Sequence, residues 1–125
     1  MLGRSNAVAN LAVRDLERAR RFYVETLGLE VTHNEADQLL VLKSGASSVN
    51  VYVSEFAGTN KATAATWEVD DVEAEVAGLK AKGVAFEHYD MPGLTREGDL
   101  HVADGYKIAW FKDPDGNILN VVGKA

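Results

Sequence analysis

The sequence has no cysteine among its 125 residues. That excludes a disulfide framework, a thiolate metal site and a cysteine nucleophile, and it permits a reducing compartment. No run approaches the roughly 18 apolar residues of a membrane-spanning helix. The opening MLGRSNAVANLAV lacks the long apolar core of a secretion signal, so the expected location is the cytoplasm, with no membrane partner. Basic charge is in the minority, with 13 Lys and Arg against 19 Asp and Glu and a formal net charge of −6. The densest basic cluster, Arg14, Arg18, Arg20 and Arg21, is interleaved with Asp15, Glu17 and Glu25. On a helix that makes a mixed surface rather than a phosphate-reading stripe, so nucleic acid is not an expected partner. No Ser or Thr stands in a G-x-S-x-G elbow, and Gly93, Gly98 and Gly105 are not followed by the Lys-Ser/Thr of a phosphate loop. Acyl-enzyme and nucleotide chemistry have no visible machinery.

What is present is ordinary in bulk, with 46% hydrophobic and 26% charged residues. A chain of this length makes one domain and buries roughly two-thirds of its surface without staples. The most telling stretch is Tyr106–Val122. Two apolar runs flank Asp113-Pro114-Asp115-Gly116-Asn117, where each residue has a turn-forming property. That predicts a hairpin with a five-residue structural loop. Pairing Lys112 with Ile118 sets Trp110 opposite Asn120 and Ile108 opposite Val122 on one face, and leaves Phe111, Leu119 and Val121 on an apolar one.

In chain order, Ala7–Val13 reads as a strand and Arg14-Asp15 as a helix start, with Leu16, Ala19, Tyr23 and Leu27 as its buried stripe and Gly28 as its stop. Strands follow over 29–32, 39–43 and 49–53. The pattern then begins again. Ala64–Val69 is a strand, Asp70 and Glu73 have capping-box spacing, and Val72, Val76 and Leu79 form a stripe that ends at Gly83. Val84–His88 is the next strand. Val13-Arg14-Asp15-Leu16-Glu17 aligns with Val69-Asp70-Asp71-Val72-Glu73, Leu27-Gly28-Leu29 with Lys82-Gly83-Val84, and His33 with His88. An internal duplication of a βαβββ unit follows. One helix covers only one face of each sheet. Paired edge to edge, the uncovered faces would curl into a trough suited to a small molecule, with the long segment Asp90–Gly105 across its mouth.

These pieces together resemble the glyoxalase/bleomycin-resistance/extradiol-dioxygenase (vicinal oxygen chelate) superfamily. They are Val13-x-Asp15-Leu16, Phe22-Tyr23 and Leu27-Gly28-Leu29, the repeat at Val69–Val72, and Phe111–Asn117. The resemblance implies an α+β fold of two tandem βαβββ modules, at about 6–54 and 63–123, forming a curved mixed-sheet cup within a single domain over 1–125. It also implies a homodimer and, in the family's enzymes, a divalent metal in the cup. The family's ligand positions fall on Val8, Asn50 or Tyr52, Ala64 and Asn120, none of them His or a carboxylate. No cofactor is expected on that basis, and a divalent metal only under a different alignment.

Strand alternation points Asn10, Asn50, Tyr52, Thr66, Glu68, Trp110 and Asn120 inward. Trp110 offers a surface for stacking or cation–π contact, and Asn10, Asn50, Tyr52, Thr66 and Asn120 offer neutral hydrogen bonds. Glu68 is the one carboxylate placed inside. His101, in the long segment, is either a ligand contact or base, or an exposed loop residue. His33 and His88 read as half-exposed edge residues. The leading expectation is metal-independent binding of an organic ligand, aromatic or cationic. The alternative is an enzyme, either a glyoxalase-like lyase or dioxygenase-type metalloenzyme or a cofactor-free isomerase using His101 or Glu68.

Overall fold

Asp15 and Asp71 start the two main helices in the same manner. In the computed structural model, which describes residues 1–125, both are extended, at φ −124°, ψ 107° and φ −136°, ψ 96°. Each carboxylate accepts from the backbone N–H three residues on, that of Arg18 or of Ala74. This satisfies one of the donors that a helix start leaves open. The capping box expected from Asp70 and Glu73 does not form. Asp71 is the last extended residue before α2 (Val72–Ala81), so the N–H in reach of the cap belongs to Ala74.

Helix α1 (Leu16–Arg20) continues as a π-helical turn over Arg21–Thr26, where the N–H of Leu27 reaches the carbonyl of Phe22. Ala19 and Tyr23 are fully buried, whereas Leu16 and Leu27, expected in the same stripe, are half-buried. Gly28 (φ 82°) and Gly83 (φ 91°) end the two helices in the left-handed conformation that costs glycine no clash.

The chain divides into two compact units, Met1–Thr59 and Asn60–Ala125. The first holds a mixed sheet of β1 (Ala9–Val13), β2 (Glu30–Glu35), β3 (Leu39–Ser44) and β4 (Ser47–Val53), in the order β1-β4-β3-β2. Only β1 and β4 run parallel. Leu11, Val13, Leu40, Leu42, Val49 and Val51 are buried on the face that meets α1. Asn10, Asn50 and Val41 pair across the other face.

The second unit repeats the scheme with β5 (Thr63–Glu68) parallel to β10 (Ile118–Lys124) and β9 (Tyr106–Lys112) antiparallel to it. The register of the last hairpin is the one expected, with Lys112 against Ile118, Trp110 against Asn120 and Ile108 against Val122. Its loop is held from within. The Asp113 carboxylate accepts from the N–H groups of Asp115 and Asn117 at 2.9 and 2.8 Å and from the Asn117 amide at 2.8 Å. Phe111, Leu119 and Val121 are buried on strands that pack against α2.

The copies part at the outer edge of β9. The strand expected over 84–88 shrinks to β6 (Phe86–Glu87), which pairs only with Phe111 and Trp110. Seven-residue β9 then has backbone groups left to satisfy. The segment expected to cross a trough mouth supplies them instead, as β7 (Thr95–Glu97) and β8 (Leu100–Ala103), a hairpin turned at Gly98 (φ 65°). Strand β8 pairs with the remainder of β9, from Ile108 to Tyr106. No helix in the structure is long and apolar enough to cross a membrane.

Candidate functional site

Cross-strand pairing assigns side chains to the face of the second sheet opposite α2. Thr66, Asn120, Trp110 and Glu87 form one row across β5, β10, β9 and β6. Glu68, Val122, Ile108 and His101 form the next. The expected residues Trp110, Asn120, Thr66, Glu68 and His101 therefore share a face, because directly opposed residues point to the same side.

His101 is not the exposed loop residue entertained above. It is fully buried on β8, since the segment around it is a strand pair. Its Nε2 accepts the backbone N–H of Tyr89 at 2.9 Å. Burial, the largest influence, lowers its proton affinity, and the backbone of Ile108 offsets this only in part. A neutral ring whose Nε2 accepts must carry its proton on Nδ1. That nitrogen has no hydrogen-bond partner.

Trp110 is 7% exposed, so the platform foreseen for stacking is packed. The His101 and Tyr89 rings stand nearly perpendicular to its indole, at centroid distances of 4.8 and 5.4 Å. Its Nε1–H donates to the Thr63 hydroxyl at 3.0 Å. Burial, then the Glu87 carboxylate, raises the proton affinity of the Tyr89 phenol, and its hydroxyl is buried without a partner. Asn120 is also 7% exposed and its Oδ1 is likewise unpaired. Glu87 pairs with Lys112 at 3.4 Å, while Thr66 and Glu68 are exposed. Tyr89 and Thr63 escaped the sequence reading. Tyr89 lies on irregular chain between β6 and β7, where alternation gives no facing, and Thr63 precedes the bulge at Ile118/Leu119.

In the first unit, the Asn50 amide donates to Asn10 Oδ1 at 3.2 Å, and Tyr52 is exposed two residues on. His33 and His88 are exposed and meet Glu35 and Asp99 at 3.3 and 2.8 Å. Asp99 also accepts from Lys80 at 2.7 Å, and this bond first, then His88, holds its carboxyl below the usual range.

The family model of the Glyoxalase/Bleomycin resistance protein/Dioxygenase superfamily matches residues 5–121. The chain belongs to that superfamily. No curated protein matches it. Among solved structures, the bleomycin resistance determinant encoded on the transposon Tn5 is 20% identical, with TM-score 0.73 over 96% of this chain and 98% of that one. A lactoylglutathione lyase from Agrobacterium tumefaciens is 20% identical, with TM-score 0.72 over 95% and 92%. A bleomycin-binding protein from Streptomyces verticillus, in complex with copper(II)-bleomycin, is 24% identical, with TM-score 0.67 over 93% of each chain. At these identities the likeness is one of fold.

The superfamily's metal positions can be tested on these side chains. At the positions that the resemblance implies, Val8 and Ala64 carry no donor atom, Asn50 is bonded to Asn10, its alternative Tyr52 carries a phenol, and Asn120 offers a neutral carbonyl. No group of three or more His, Asp or Glu comes together that could hold an ion. Zinc and the transition metals want imidazole, carboxylate or thiolate. The residues present do not fit one.

Proposed function

We propose that this superfamily member binds a small organic molecule without a metal ion, as a single domain over 1–125. The one observation that carries this is the donor-free pair Val8 and Ala64 at positions where the resemblance puts metal ligands. Fold alone does not choose, since a lyase and a bleomycin-binding protein share it. Against His101 as the base of a cofactor-free isomerase stands its Nε2 lone pair, occupied by the Tyr89 N–H. A general base needs that lone pair free. Binding would draw on Trp110 and Asn120 within the second unit. The resemblance makes a homodimer the working assembly, and sedimentation checks it.

The test is metal analysis of protein purified without chelator, joined to a thermal-shift screen of aromatic and cationic compounds. Expected are no stoichiometric metal and at least one compound that raises the melting temperature, because a ligand of the native state alone adds about 2.7 kcal/mol at a hundred times its Kd. Stoichiometric Ni, Zn, Mn or Fe would overturn the proposal.

A further inference from the structure

Buried hydrogen-bonding atoms without partners are scarce in native proteins, because each has given up its water for nothing. Three in the second unit gather around one indole. Asn120 Oδ1, the Tyr89 hydroxyl and His101 Nδ1 are all sealed and unpartnered. Tyr89 and His101 touch Trp110 by ring contact, and Asn120 is its cross-strand neighbour. His101 stands beside the backbone of Ile108, the residue paired with it on β9, which raises its proton affinity. Asn120 and Tyr89 are then the groups that an incoming molecule can satisfy. Their chemistry is complementary, since a carboxamide oxygen only accepts and a protonated phenol can donate.

Charge in the row of Trp110 does not favour an ion; Glu68, exposed on the same face, stands one row away. Glu87, in the row of Trp110, is paired with Lys112. Asn120 stands where a carboxylate would draw a cation, and its amide has no charge. Resting on the small-molecule reading above, we infer that the Trp110 face takes an uncharged planar ligand. Such a ligand gives an N–H or O–H to Asn120 Oδ1 and takes the Tyr89 hydroxyl on a carbonyl-type acceptor. Lactams, cyclic imides and related heteroaromatics have this pattern. Reaching these atoms requires the Tyr89 ring to turn about its side-chain bonds, which the bond from its backbone N–H to His101 does not prevent.

Titration calorimetry on the full chain tests this with three planar probes of similar size: 2-quinolinone, its N-methyl derivative and the N-methylquinolinium cation. The N–H lactam should bind about tenfold more tightly than the N-methyl one, the worth of one hydrogen bond to a buried acceptor, and more tightly than the cation. Asn120→Leu should bring the two lactams to equal affinity, and the isosteric Asn120→Asp should move the preference to the cation. Equal binding of both lactams to the native chain, or a preference for the cation, overturns the inference and leaves small-molecule binding standing. Failure of all three probes also overturns it, and only an empty aromatic and cationic screen besides would end the broader reading. The comparison on the native chain needs no variant to fold.

Discussion

The N–H of Tyr89 fixes the tautomer of His101, by a 2.9 Å bond to Nε2 of a fully buried ring. A ring held in this way resists a second proton, and stability inherits that resistance. Burial lowers the folded pKa below the ordinary 6.5. In the window between the two values the unfolded chain binds a proton that the folded chain refuses, so unfolding gains as pH falls. Stability from this group is complete above the ordinary value, declines below it, and levels off beneath the folded pKa. Urea midpoints followed from neutral pH to about pH 5 should show the decline. His101→Gln, which can still accept from Tyr89, should flatten it.

Asp113 answers three donors inside the DPDGN loop and is almost wholly buried. Replacing it by Ala strands two backbone N–H groups and an amide. The expected loss is about 3 kcal/mol in chemical denaturation. Asp113→Asn keeps one acceptor oxygen but sets amide against amide at Asn117, so its loss should be intermediate.

Asp15 and Asp71 cap their helices alike, and their removal should be alike. Asp15→Ala and Asp71→Ala are each expected to lower stability by about 1 kcal/mol. Asp70→Ala, at the position that the spacing alone favours as cap, should stay within about 0.5 kcal/mol of the native protein. A larger effect at Asp70 than at Asp71 in urea titrations would contradict the observed cap.

Gly123 sits where β10 passes the start of α2. A Cβ there would lie 2.7 Å from both the Val69 carbonyl oxygen and Val72 Cγ2. The oxygen is backbone and cannot swing aside, so strand and helix must separate. Gly123→Ala should lower the denaturation midpoint by the equivalent of about 2 kcal/mol, although alanine ordinarily suits a strand better than glycine.

Much of this was legible because it is local. The DPDGN loop, the glycine stops at 28 and 83 and the Trp110–Asn120 register each follow from a few neighbouring residues. The aspartate caps were legible as a pair, since aligning the repeats sets Asp15 against Asp71 even though capping-box spacing favours Asp70. The outer edge of β9 was not legible. Which strand completes it depends on how far Phe86–Glu87 reaches and on what returns from the far side of Gly98, and neither is encoded nearby. The burial of His101 was left open for the same reason, and the role of Tyr89 depends on that late pairing.

In each unit the first strand lies beside the last, β1 against β4 and β5 against β10. A nascent chain therefore leaves the ribosome with β1 unable to find its partner until Ser47–Val53 has emerged, and β5 waits still longer, for Ile118–Lys124. Such distant pairing makes for slow closure. A polypeptide halted shortly before Ile118 would carry β5 and β9 with bare edges, prone to stick to other unfinished chains.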